Sequence, residues 1–161
     1  MRNRYTLISL FAILVLLLDQ FTKMLIQATM LKNSERVIID GFFNLVYVEN
    51  RGAAFGILNR SDIEWQFWLF LAAAVVAAGV IIVLARQAEP KEYMFFIALG
   101  LILGGAAGNL IDRVLYRAVV DFLDFYIENW HWPAFNVADI AICCGAALAL
   151  LASWKRHGRQ H

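Results

Sequence analysis

Residues 6–27, TLISLFAILVLLLDQFTKMLIQ, decide the fold. The apolar run Leu7–Leu18 and its continuation match the ~20 residues a helix needs to cross a hydrocarbon layer of about 30 Å. Arg2 and Arg4 precede it as in a secretory signal. No A-x-A-like cleavage site follows, and Asp19 and Lys23 continue the helix, so an uncleaved anchor is expected. Three more runs have the same character: Trp65–Ala85, Tyr93–Ile111 and Asn136–Trp154. None alternates in polarity as a barrel strand would. The sequence therefore predicts an all-α integral membrane protein, a single four-span domain covering 1–161. Its spans fall at about 6–27, 65–85, 93–111 and 136–154, with outer loops at 28–64 and 112–135.

Composition points the same way. Of 161 residues, 61% are hydrophobic and 17% charged, against about 45–50% and 25% in soluble domains. Disorder is excluded, because disordered chains lack the apolar residues that offset ordering entropy. The formal charge of +1 is spread without a basic block, so no nucleic-acid partner is expected. The neighbouring Cys143 and Cys144 have neither disulfide geometry nor metal spacing. They read as small apolar packing residues.

Basic residues set the orientation. Arg2 and Arg4 precede span one, Arg86 and Lys91 follow span two, and Lys155, Arg156 and Arg159 follow span four. The longer opposite loops hold only Lys32, Arg36, Arg51 and Arg60, then Arg113 and Arg117. By the positive-inside rule both termini are expected in the cytoplasm and the long loops outside. Within those loops, Val37–Ile39 and Phe42–Val48 flank Asp40-Gly41 as two short strands around a turn. Ala118–Tyr126 is a further extended candidate, followed by Trp130, His131 and Trp132. Tryptophans and tyrosines there suit a membrane–water interface, so a small outward-facing sheet lying on the membrane surface is expected.

A charge at mid-membrane costs roughly 2.5–3.5 kcal/mol even on a lenient scale, which makes the polar residues of the spans informative. They are Asp19 and Lys23 in span one, Asn109, Asp112 and Arg113 ending span three, and Asn136 and Asp139 opening span four. All are expected at one level, towards the outer face. Each has a structural alternative. Asp19 and Lys23 are four apart and can neutralise each other. Arg113 can be a snorkelling anchor with Asp112 as its partner. Asn136 and Asp139 can be an N-cap and its third helical residue, since Pro133 breaks the chain before them. Gly100, Gly104 and Gly108 form a ridge suited to close helix packing. In an extended segment Asp121 and Asp124 face opposite ways, one inwards and one to water. Histidines and cysteines give no zinc spacing and no serine has an evident base. That leaves paired carboxylates, one ionised to activate water and the other protonated to polarise a carbonyl.

Five blocks, taken in order on a four-span chain, resemble the bacterial lipoprotein signal peptidases (signal peptidase II). They are Asp19-Gln20-Phe21-Thr22-Lys23, Asn50-Arg51-Gly52-Ala53-Ala54-Phe55, Gly104-Gly105-Ala106-Ala107-Gly108-Asn109-Leu110-Ile111-Asp112-Arg113, Val119-Val120-Asp121-Phe122 and Phe135-Asn136-Val137-Ala138-Asp139. The resemblance implies an intramembrane aspartic endopeptidase of the bacterial inner membrane. Such an enzyme cuts diacylglyceryl-modified prolipoproteins before the lipidated cysteine, with no metal or cofactor. It places the catalytic pair on Asp121 and Asp139. Supporting or substrate-binding roles fall on Asp19, Lys23, Asn50, Gly52, Asn109, Asp112, Arg113 and Asn136. It further implies sensitivity to globomycin-type inhibitors, and four spans with one site are expected to work as a monomer among membrane lipids. Arg51 departs from the threonine common in the family. The helix dipole at Asp139 favours its ionised form, which makes Asp121 the expected proton holder. A small transporter or proton channel is the competing reading, and a purely structural subunit a further one. A relay, however, needs charges through the whole membrane depth, and the inner half of every span is nearly free of them.

Overall fold

A computed structural model describes residues 2–52 and 65–157. Ala53–Phe55 of the second block, Arg60, Arg159 and His161 lie outside them. The apolar runs fold as four helices: α1 (Arg2–Thr29), α2 (Trp65–Gln87), α3 (Tyr93–Tyr116) and α4 (Val137–His157). All four are long and apolar enough to cross a membrane. They are also turned inside out relative to a soluble bundle. Leu10, Leu17, Phe21, Val75, Val76 and Leu150 are all exposed on their flanks, as expected where the surrounding solvent is hydrocarbon.

The centre of the bundle is α3, because small residues let two neighbours approach it. A Cβ on Gly100 would stand 2.7 Å from the Ile8 carbonyl oxygen, and one on Gly104 2.6 Å from that of Ala12. A Cβ on Gly108 would collide with the Asp19 carboxylate. On the other side of α3, a Cβ on Gly105 would meet the Ala138 carbonyl oxygen, and one on Gly145 would lie 2.8 Å from that of Ala98. The expected glycine ridge is thus the α1–α3 seam, and a second pair makes the α3–α4 seam. Gly104→Val is expected to lower the melting temperature of the detergent-solubilised chain, at a cost of about 1–3 kcal/mol for an overpacked seam. Gly79→Val, where nothing lies within 4 Å, is expected to leave it unchanged. Differential scanning fluorimetry reads both.

At the end of the bundle where α1 begins and α4 ends, Arg4 of α1 donates to the carbonyls of Ala85 (2.7 Å) and Arg86 (3.3 Å) at the end of α2. These are carbonyls that a helix C-terminus leaves without partners. At the opposite end lies an antiparallel sheet in the order β1-β2-β3-β4. Its strands are β1 (Glu35–Ile39), β2 (Phe43–Asn50), β3 (Val119–Ile127) and β4 (Trp130–His131). The predicted strands are present, with the turn at Gly41 in the left-handed region (φ 74°). Val120 and Phe122 of β3 pack against Ile26 of α1, seating the sheet on the helices.

Three expectations need correction. α3 does not stop at Ile111 but runs to Tyr116, so Asp112 and Arg113 belong to a helix and not to an outer loop. The chain turns only at Arg117, which takes a left-handed φ of 59°. Neither Asp121 nor Asp124 faces water, for both are buried. The face of β3 opposite Asp121 is closed over Asp124 by its cross-strand neighbour Asn44, whose Nδ2 donates at 3.2 Å, and by His131 Nδ1 at 2.9 Å. Finally, Cys143 and Cys144 are exposed on the flank of α4 and not packed within the bundle.

Candidate active site

Two linked clusters occupy the sheet end of the bundle. The deeper one centres on Lys23, whose ammonium is buried. Its three donors find Asp19 Oδ2 at 2.8 Å, Asp112 Oδ2 at 2.9 Å and Asn109 Oδ1 at 3.0 Å. The carboxylates have further partners. Asp19 Oδ1 accepts from the Ala138 backbone N–H at 2.9 Å, satisfying a donor in the first turn of α4 from a different helix. Asp112 Oδ2 accepts from the Val120 N–H at 3.1 Å, which fixes the start of β3. The four-apart pair Asp19–Lys23 therefore forms as the spacing allows, but it also binds α1 to α3, α4 and β3.

Sequence reasoning gave Gln20 no role, yet its Nε2 donates to Asp112 Oδ1 at 2.9 Å and lies 3.3 Å from both Asp19 Oδ2 and the Gly108 carbonyl. The available signal was an amide amid an apolar run, flanked by an aspartate.

The second cluster holds Asp121 and Asp139 on the wall of one cavity of about 530 Å³. The reason they meet is local. The Phe135 carbonyl accepts from the N–H groups of Phe122 (3.1 Å) and Leu123 (2.9 Å), and the Phe135 N–H donates to the Leu123 carbonyl. That pairing sets Asn136 beside Asp121 just as α4 begins. Asn136 then contacts both carboxylates: its Nδ2 donates to Asp121 Oδ1 at 2.7 Å and its backbone N–H to Asp139 Oδ2 at 3.2 Å. The Asn136 side-chain oxygen accepts from the Asp139 N–H at 3.0 Å. The capping reading was therefore right, since this is a reciprocal capping box. It still leaves Asp139 half-buried on the cavity wall.

The remaining predicted residues complete this shell. Asn109 Nδ2 donates to Asp139 Oδ1 at 2.8 Å, while its oxygen accepts from Lys23 and, at 3.2 Å, from Asn136. Asn109 thus joins the two clusters. Asn50 Nδ2 donates to Asp121 Oδ2 at 3.1 Å, and the Asn50 oxygen accepts from the Gly52 N–H at 2.9 Å. Arg113 lines the cavity, donates to the carbonyls of Asn109 and Gly52, and lies 4.1 Å over the Phe70 ring of α2. Its Nε is buried without a partner among the described residues. Arg51, next to Gly52 in the chain, is exposed.

Each carboxylate accepts two amide or backbone bonds, so neither competes with water for its orientation. Burial, and then the neighbouring Asp139 charge, push the Asp121 carboxyl up to about 7. The two asparagine bonds act against that rise but do not cancel it. A protonated Asp121 with Asp139 on the same cavity wall is a pair able to polarise a carbonyl and deprotonate water. The rest of the cavity wall is apolar along α4, at Ile140, Ile142, Cys143 and Cys144. Among the described residues no three His, Cys, Asp or Glu side chains are arranged to hold a metal ion.

Comparison with known proteins agrees with this architecture. The family model described as Signal peptidase (SPase) II matches residues 11–155. The lipoprotein signal peptidase of Nitratidesulfovibrio vulgaris (strain DP4) is 57% identical over 153 residues, covering 95% of this chain and 92% of its own. That of Oleidesulfovibrio alaskensis is 56% identical, covering 96% and 99%. A solved bacterial membrane enzyme, determined by the in meso method at 2.3 Å resolution, superposes with a TM-score of 0.83 at 31% identity. It covers 94% of this chain and 90% of that one.

Proposed function

The chain belongs to the signal peptidase II family, and on that premise we propose that Asp121 and Asp139 are the catalytic pair of an aspartic endopeptidase. It is a multi-pass membrane peptidase that removes signal peptides from prolipoproteins. One observation carries the finer reading: Asn136 bonds both carboxylates on the wall of a single cavity. Asp139, at the positive end of α4, takes a proton from a water molecule as that water attacks the scissile carbonyl. Asp121 donates its proton to the carbonyl oxygen. The tetrahedral diol then collapses, the carbonyl returns its proton to Asp121, and Asp139 passes its own to the departing nitrogen. Asn109 orients the Asp139 carboxylate through its 2.8 Å bond, and Arg113 ties α3 to the Gly52 carbonyl beside Asn50.

The substrate chemistry follows from the surroundings. The apolar cavity wall along α4 faces the hydrocarbon, which suits a cleavage point beside a diacylglyceryl-modified cysteine. The sheet would hold the peptide at the membrane surface, and a globomycin-type cyclic peptide would compete for the same cavity. Lys and Arg bias supports cytoplasmic termini, an outward-facing site and residence in the inner membrane. A single site built within one chain supports action as a monomer. A transporter has less support: Lys23, Asp19 and Asp112 satisfy one another as a static network and leave no step for a relay.

The pH dependence tests the reading. Cleavage needs Asp121 protonated, and its carboxyl lies at about 7. The rate is therefore expected to hold below that value and to fall as pH rises through it. A pH–rate profile on a diacylglyceryl-modified prolipoprotein, read by gel shift, measures the limb. A rate that keeps rising from pH 7 to 9 would contradict a protonated Asp121.

A further inference from the structure

A second cavity lies at the far end of the bundle, and nothing in peptide cleavage uses it. It encloses about 490 Å³ between the start of α3 and the end of α4. With a rise of 1.5 Å per residue along α4, it stands roughly 25 Å from Asp139. Its lining combines two chemistries. Met94, Phe95 and Ala152 give an apolar floor, while Lys91, Lys155 and Arg156 supply three cations at the rim.

Two carboxylates share the rim, Glu89 and Glu92. Glu92 is committed: its Oε1 accepts from the Glu89 N–H at 3.0 Å and faces Arg156 Nη1 at 3.6 Å. Lys91 and Lys155 have no carboxylate within ion-pair distance among the described residues. Glu89 and both lysines are exposed. The rim thus keeps two ammonium groups uncommitted beside an apolar floor, and Trp154, next to it in the chain, is exposed, a residue type suited to the membrane–water interface. Two lysines, one in the α2–α3 turn and one on α4, lining the same cavity over an apolar floor, fit a phosphate diester whose acyl chains stay in the bilayer.

We propose that this cavity binds the headgroup of an anionic phospholipid, with Lys91 and Lys155 holding the phosphate. The site is independent of the proteolytic one and stands or falls separately. Its test is the melting temperature of the detergent-solubilised full chain with added phosphatidylglycerol, with phosphatidylcholine of the same acyl chains, or with inorganic phosphate alone. Phosphatidylglycerol is expected to raise the midpoint by about 3 °C or more above phosphatidylcholine, as mass action predicts for a ligand well above its Kd. Inorganic phosphate is expected to do nothing. The double variant Lys91→Gln/Lys155→Gln leaves the Arg156–Glu92 pair intact and should abolish the difference between the lipids. Lys91→Arg/Lys155→Arg should retain it. Because the readout is a difference between lipids, a general loss of stability in a variant does not obscure it. An equal response to both lipids, a difference that survives the Gln variant, or a shift from inorganic phosphate alone would each overturn the proposal.

Discussion

Exchanging Asp139 or Asp121 for Asn is expected to cut prolipoprotein cleavage by at least about 10³-fold, the loss that accompanies removal of an acid or base from the transition state. An amide at position 139 cannot take a proton from water, and one at position 121 cannot give a proton to the carbonyl. The fold should survive both changes. Asn has the size of Asp, and its carbonyl oxygen can still accept the Asn136 bond that each carboxylate receives. Asp124 provides the control. It is buried on the same strand but turned to Asn44 and His131, so Asp124→Asn should leave cleavage within about tenfold of wild type, far inside the range of an acid–base loss. Gel-shift assays of the three variants, with melting curves to confirm folding, decide the assignment. Residual activity within tenfold of wild type in either catalytic variant would remove that aspartate from the mechanism.

Lys23→Met is expected to have the largest effect on stability. The substitution keeps the length of the stem and removes the ammonium that Asp19, Asp112 and Asn109 share. Breaking a buried ion pair from one side costs about 3–5 kcal/mol, because the opposite charge is left without compensation. Here two carboxylates are stranded. Each also holds a backbone N–H, Ala138 at the head of α4 and Val120 at the head of β3. Those are the two elements that carry the catalytic pair, so loss of the network should loosen the site as well as the bundle. The expected result is a chain that fails to accumulate in the membrane or melts far below wild type. A triple change, Lys23→Met with Asp19→Asn and Asp112→Asn, should recover much of the loss, since it removes the stranded charges. A Lys23→Met variant with unchanged melting and activity would contradict the structural role given to this lysine.

The energetics of the membrane make much of this fold and site legible in the sequence. Apolar runs of the required length have few alternatives to helices, and ionisable groups in them are expensive enough to mark a site. Asp19, Lys23, Asn109, Asp112, Asn136 and Asp139 were visible for that reason. Sequence periodicity could say that Asp121 and Asp124 face opposite ways. It could not say that Asn44 and His131 would close over the second face, because that depends on strand pairing across about 80 residues. Polarity alone ends α3 too early, because Asp112 and Arg113 look like the start of a loop. Their charges are satisfied by tertiary partners, which a single segment does not reveal. The partners of Gln20 are hidden for the same reason. The choice between cap and catalyst at Asn136 and Asp139 was also a false alternative, since the bonds that cap α4 are the ones that orient the carboxylate.

The central claim is that two aspartates activate water directly, and it is tested most directly by single-turnover cleavage with chelator and with hydroxylamine. The purified chain, in detergent, would be mixed with a diacylglyceryl-modified prolipoprotein, and the released signal peptide analysed by mass spectrometry. A direct attack by water predicts full cleavage in EDTA and a free carboxylate on the peptide even in high hydroxylamine, because no acyl-enzyme exists to be intercepted. Loss of cleavage in EDTA that zinc restores, or a peptide hydroxamate, would contradict it.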